Sequence, residues 1–378
     1  MTSKERFLMA VAHQEPDRVP TGEWEYGSEL IDPVLQQDRF SFEGWEATHA
    51  FWQGKRNEMI DRRKKGKVEL VRKLNWDAVL VHLVIDKDTV IEAPEPVNES
   101  QWRFKNGDIL QYSKETDRFM IVKRGTPPAR QADAGGDSIA ARYDPTASEL
   151  EVVRYVVREL GKTHFIFSSP LLGHPQFGFS DASVSEVENW VRLYEDPDKY
   201  RQNYLDGVKS DFTRRGIENA KREGMDGVAM GTDYGCNTGP FMSPDMFKRA
   251  VLPGLSAWCD LVHSFGLVAL LHSCGNNQAL MDMIVEAGVD VYQSIQPEMD
   301  IIKTKKRYGR KITLWGGVSA GDLVLSTPDH VKQEAIKYLN ECKPGGGYIF
   351  GTSHSIMPGA KYENYCAMLE ALKKHGVY

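Results

Sequence analysis

From residue 145 onward, short apolar, β-branched runs alternate with longer segments whose apolar positions recur every three or four residues. The short runs predict strands at 164–168, 227–231, 267–272, 289–293, 312–315 and 348–351. The longer segments predict helices at 148–160, 184–194, 197–222, 244–265, 277–286, 297–308, 327–341 and 362–374. The strands are short and apolar throughout, as strands of a parallel sheet covered on both faces are. Upstream, Ser3 is placed to cap a helix over 3–13 with an apolar stripe of Phe7, Leu8 and Val11. The turn Pro16-Asp17-Arg18-Val19-Pro20 feeds a short strand near 19–24, and 77–84 is a dense β-branched run after a helix that ends at 74. Together these make eight strand–helix units, which predict an α/β fold of the (β/α)8 TIM-barrel type. An open doubly wound sheet is the rival. No Gly-x-Gly-x-x-Gly follows an early strand and no Walker A sequence occurs, which argues against a Rossmann site or a P-loop.

Two stretches interrupt that rhythm. Residues 27–60 carry Phe40, Phe42, Trp45, Phe51 and Trp52 in an irregular pattern, read as an inserted lid or wall. Between 100 and 124, polar and apolar residues alternate around Asn106-Gly107, a strong hairpin signal, and 119–123 adds another strand. The whole chain, 1–378, is therefore read as one barrel domain with insertions at 27–60 and 88–145.

Composition narrows the function classes. Of 378 residues, 41% are hydrophobic and 26% charged, which is globular rather than disordered. The 47 Lys and Arg against 53 Asp and Glu give a net charge of −6, so neither a nucleic acid nor a membrane surface is an expected partner. The basic run 62–67 reads as a solvated helix face. Five scattered cysteines, at 236, 259, 274, 342 and 366, do not staple a fold and point to a reducing compartment. The opening residues have no signal-like apolar core, and no apolar run approaches the roughly 20 residues of a membrane span. A cytoplasmic location is the expectation.

In a barrel, chemistry sits at the C-terminal ends of the strands. Three such ends carry reactive side chains: Gly231-Thr232-Asp233-Tyr234-Gly235-Cys236, His272-Ser273-Cys274-Gly275 and Gly351-Thr352-Ser353-His354-Ser355. On extended backbone, His272 and Cys274 point the same way, and Gly275 permits a tight turn after them. A thiolate and an imidazole suit Zn²⁺ better than Mg²⁺. His354 would make a third ligand and leave one position open, as catalytic zinc requires. The plainer reading of Cys274 is a small buried hydrophobe. Cys259 and Cys366 lie in amphipathic helices and read as core, whereas Cys236 shares the barrel end with the candidate ligands. Asp233 reads as an acid, a group orienting a histidine ligand, a metal ligand or a loop cap. Glu23 and Glu25 flank Trp24, and only one of the two can face the mouth. His82 in the second strand and His174 in the loop after the third could reach a substrate.

The combination of Glu5-Arg6-Phe7, Pro16-Asp17-Arg18-Val19-Pro20, Asp233-Tyr234-Gly235, 239–244 (GPFMSP), His272-Ser273-Cys274-Gly275, Trp315-Gly316-Gly317-Val318 and 346–351 (GGYIFG) resembles the uroporphyrinogen decarboxylase superfamily. Within it, the chain resembles the zinc-dependent, corrinoid-linked methyltransferases. The resemblance implies the TIM barrel, with His272 and Cys274 as two zinc ligands. A third ligand after the last strand is usually cysteine in that branch, and here His354 is the nearest match, with an acidic residue such as Glu23 or Asp233 as the alternative. The decarboxylases carry an arginine-rich segment after the first strand, whereas this chain reads Tyr26-Gly27-Ser28-Glu29-Leu30-Ile31-Asp32. The implied activity moves a methyl group from a small methylated substrate to the Co(I) corrinoid of a partner protein. The aromatics of 40–52, with Trp24 and Tyr26, favour a methoxylated aromatic donor and O-demethylation. A methylcorrinoid-to-thiol or folate transferase is the alternative, and a metal-free decarboxylase a further one. The corrinoid is expected on the partner, because Asp260-Leu-Val-His263 lacks the spacing of a cobalamin motif. Expected roles are catalytic for Asp233, His174 and Tyr234. Glu23, Trp24, Tyr26, His82 and Cys236 are expected to bind substrate, and His272, Cys274 and His354 to bind metal. A homodimer is expected by analogy.

Overall fold

A computed structural model describes residues 1–35, 44–115, 117–125, 144–172 and 190–378. Seven strands pair in parallel, each with its neighbour in sequence: β1 (Ala78–Leu80), β2 (Phe165–Ser168), β3 (Gly227–Gly231), β4 (Val268–His272), β5 (Val291–Ile295), β6 (Thr313–Val318) and β7 (Tyr348–Thr352). Because side chains alternate along a strand, each strand feeds two cores. Phe165, Phe167, Ala229, Leu270, Val291, Trp315 and Ile349 join Phe7 and Trp24 in one buried cluster inside the curl. The alternate residues, such as Ile166, Val228, Leu271 and Tyr292, pack outward against the helices in a larger cluster. Phe7, on helix Ser3–Val11, stacks on Phe165 with ring centroids 4.0 Å apart and plugs the N-terminal end. Trp24 lies against Phe167 nearer the C-terminal end, with centroids 5.3 Å apart.

The expected eighth strand is not a strand of the sheet. Residues 19–24 run between β7 and β1, but Thr21 makes only an isolated parallel bridge to Phe350. Asp77 N–H donates to Thr21 O at 2.6 Å, and Phe350 N–H donates to Pro20 O at 2.9 Å. Pro20 has no N–H to return. The N–H of Thr352, which would extend a ladder, donates instead to the carboxyl of Glu23 at 3.2 and 3.3 Å. The sheet is thus curled and open, a seven-stranded half-barrel, in place of the closed eight-stranded barrel. Side chains tie the gap from below. The fully buried Asp77 accepts from Arg6, Arg18 and the N–H of Thr21 at 2.5, 2.8 and 2.8 Å.

The interruptions have their own structure. Gln101–Arg103 and Ile109–Ser113 form the hairpin around Asn106-Gly107, with Gly107 at φ +89°, the backbone such a turn demands. Glu95–Asn98 and Arg118–Lys123 complete a four-stranded antiparallel sheet. Helix Gly44–Trp52 lies on it. Trp45 and Trp52, read from sequence as an irregular wall, belong to that helix and meet Trp102 with centroids 5.3 and 5.7 Å apart. Tyr112 and Phe119 complete this satellite core. The helix expected over 244–265 is broken by a π-turn at Phe247–Val251, just ahead of Pro253. Among the described residues, no helix is long and apolar enough to cross a membrane.

Candidate metal centre

His272 ends β4, and the chain turns sharply after Cys274 at Gly275, φ +87°. A Cβ on Gly275 would stand 2.3 Å from the carbonyl carbon of Gly235, so only glycine lets the two loops approach. His354 follows β7. Ligand atoms of His272, Cys274 and His354 all lie within 4.8 Å of one another, a cluster able to hold a metal ion. Cys274 Sγ is 3.3 Å from His272 Nε2. Nitrogen and sulfur ligands of one tetrahedral zinc stand about 3.5 Å apart, given its ordinary bond lengths. The donor set and this spacing therefore fit zinc.

The surroundings prepare these groups as ligands. Gln293, opposite His272 in the β4–β5 register, hydrogen-bonds its Oε1 to His272 Nδ1. An amide oxygen only accepts, so Nδ1 carries the proton and the lone pair sits on Nε2, facing Cys274. Burial pushes the His272 imidazole below its ordinary pKa, against the Gln293 hydrogen bond and the charge of Asp233, and favours the neutral, ligating form. Asp233 accepts the N–H of Cys274 at 2.8 Å, and Gln296 accepts that of Gly275 at 2.8 Å. Asn277 donates to Cys274 O at 2.8 Å and to the Tyr292 hydroxyl at 2.9 Å. Ser294, held at φ 122° where β5 shifts register, donates to Ser353 O beside His354. Gln293, Gln296, Ser294 and Asn277 were not singled out from the sequence. The available signal was a polar residue closing an apolar strand at the same end as His272.

The other expected site residues are placed unequally. Trp24 stacks on His272, centroids 5.1 Å apart and planes 29° apart, and so is the member of its triplet that lies over the cluster. Glu23 points into the wall, buried against Thr352 and Tyr365. Glu25 points outward, 4.0 Å from His82 Nε2, and about half of each side chain is open to solvent. Tyr26 packs on Trp76 in the outer layer, centroids 5.0 Å apart. Tyr234 is 2% exposed, edge-on to Phe247, with its backbone N–H on Ser273 Oγ at 3.0 Å. Cys236 is exposed, and its Sγ lies by Thr238 and Gly239, outside the three-residue cluster. His174 lies outside the described residues.

A curled parallel sheet carries at its C-terminal rim a His/Cys/His cluster that is a candidate metal site. A family model described as "Uroporphyrinogen decarboxylase (URO-D)" matches residues 183–375, just over half the chain. The chain belongs to that family. Uroporphyrinogen decarboxylase of Coxiella burnetii (strain RSA 493 / Nine Mile phase I) is 24% identical over 142 residues, 37% of this chain and 39% of that one. The Methylobacillus flagellatus enzyme of the same name is 33% identical over 70 residues, 18% of this chain and 20% of its own. These matches span about two fifths or less of the curated relatives' length. In fold, the chain is similar to a methyltransferase from Methanosarcina mazei at 18% identity, with a TM-score of 0.63 and 99% of each chain covered.

Proposed function

We propose that the protein is a zinc-dependent methyltransferase that moves a methyl group from a small methoxylated substrate to the Co(I) corrinoid of a partner protein. The cluster of His272, Cys274 and His354 carries this reading, because two imidazoles and a thiolate are a catalytic zinc set with one position left for substrate. Bound zinc would supply Lewis acidity to an ether oxygen or hold a thiol as thiolate. The chain's own groups do the rest. Gln293 and Asp233 hold the ligands in register. Trp24, 9% exposed and stacked on His272, is assigned the apolar wall beside the cluster. Asp233, with one carboxylate oxygen on Cys274 N–H, is assigned the polar end of the donor, and His174, which lies outside the described residues, the same task. His82 lies at the rim. Tyr234 is assigned the support of the Asp233 loop from within the core. The aromatics of helix Gly44–Trp52 are engaged with the antiparallel sheet, and Phe40 and Phe42 lie outside the described residues, so among the described residues support for an aromatic donor rests on Trp24.

The test begins with elemental analysis of tag-free protein, alone and as His272→Ala, Cys274→Ala and His354→Ala. One zinc per chain, lost in every variant, is the expected result. Methyl donors are then screened against Co(I) corrinoid protein by its absorbance. Methylated corrinoid demethylated by a thiol, with no donor accepted, would reverse the direction of transfer. A protein that takes up no zinc after reconstitution sinks the reading.

A further inference from the structure

Glu23 is 2% exposed, in the wall between β7 and helix Tyr362–His375. Its neighbours are hydrogen-bonding groups. Trp76 Nε1 donates to the Tyr365 hydroxyl at 2.8 Å, which leaves the tyrosine proton for Glu23 Oε1 at 3.3 Å. Thr352 N–H donates to the same carboxyl. The other side of Thr352 decides the proton count. Its Oγ1 lies 2.5 Å from Glu23 Oε2 and 2.5 Å from the carbonyl oxygen of His354. A threonine hydroxyl has one proton, and a backbone carbonyl only accepts. If Glu23 were a carboxylate, two acceptors would compete for that proton and one close oxygen pair would stand without a hydrogen between its members.

We propose that Glu23 is a neutral carboxylic acid that donates to Thr352 Oγ1, which in turn donates to the carbonyl oxygen of His354. Glu23 is then a positioning residue: through Thr352 it sets the backbone that presents His354 to His272 and Cys274. This role rests on the metal reading above, while the protonation state stands apart from it. Burial acts in the same direction, since it raises the carboxyl's pKa against the hydrogen bonds from Thr352 and Tyr365.

Two measurements test the proposal. The first is the infrared difference spectrum of metal-free protein against Glu23→Gln at neutral pH. The expected result is the loss of a protonated-carboxyl C=O band. Loss of carboxylate bands instead overturns the neutral acid. The second is zinc affinity by competition with a chromophoric chelator. Glutamine keeps one acceptor and one donor, so Glu23→Gln is expected to bind zinc like the parent. Glu23→Ala and Thr352→Val are expected to bind about tenfold more weakly, the usual effect of losing a group that supports a ligand. Thr352→Val keeps the test open if Glu23→Ala does not fold. Parent-like zinc affinity in Thr352→Val overturns the positioning role. If the parent protein binds no zinc, the metal reading and the positioning role fall together, and the infrared band decides the acid by itself.

Discussion

Gln293→Leu removes the acceptor on His272 Nδ1 and little else, because Gln293 is 1% exposed in the middle of β5 and its amide oxygen meets that nitrogen directly. Two outcomes are open to the imidazole. It can keep its proton on Nδ1 and bury an unpaired donor, at about 1–3 kcal/mol. It can instead move the proton to Nε2 and lose the lone pair that faces Cys274, 3.3 Å away. Either route weakens metal binding by about 1.4–2.8 kcal/mol, the tenfold to hundredfold loss typical of removing such a partner. Gln293→Glu keeps an acceptor, and its charge strengthens the bond, so zinc affinity is expected to match or exceed that of the parent. The assay is competition with a chromophoric chelator at fixed pH, with urea unfolding of the metal-free proteins to show that the fold is intact. A Gln293→Leu protein that binds zinc as tightly as the parent, with unchanged stability, would refute this account of how His272 is held.

Three further outcomes are expected. Gly275→Ala must place a Cβ 2.3 Å from the Gly235 carbonyl carbon and 2.5 Å from Cys236 N at a φ of +87°, so it should lose about 2–5 kcal/mol in urea unfolding, and a loss too small to measure would be contrary. Burial pushes Glu23 up to about 8 from an ordinary 4.5. Between those values the folded chain holds a proton that the unfolded chain has released, so this stability is present at low pH and drains away as pH rises toward 8, and Glu23→Gln should flatten that slope in melting temperatures across the window. Trp45→Ala opens the satellite core between helix Gly44–Trp52 and the antiparallel sheet, at about 3–5 kcal/mol to that region, and should raise proteolysis there while leaving zinc affinity alone; a weakened zinc site would tie that aromatic cluster to the metal centre.

Much was legible in the chain because the deciding geometry is local. A period of two or of 3.6 is set by a residue's own backbone, so the strands after 145 and most of the helices could be read one by one; the helix expected at 184–194 lies largely outside the described residues, and that at 197–222 is two helices, Pro197–Lys209 and Asp211–Arg222. The same holds for the turn at Asn106-Gly107. His272 and Cys274 could be read as sharing a face because two residues on extended chain return a side chain to the same side. The family motifs pointed the same way. What sequence could not settle was every feature in which two distant backbones compete for a hydrogen bond or a space. Residues 19–24 look like a strand, yet the partner N–H of Thr352 lies 329 residues from Glu23 and bonds its carboxyl, so the sheet stays open there. Trp45 and Trp52 look like a substrate wall until the antiparallel sheet covers them. Glu23 and Trp24 are neighbours in the chain, but alternation sends the first into the wall and the second over His272, and only the curl of the sheet says which is which. Gln293 became part of the centre through the β4–β5 register alone. Local pattern named the candidate ligands; long-range register decided what orients them.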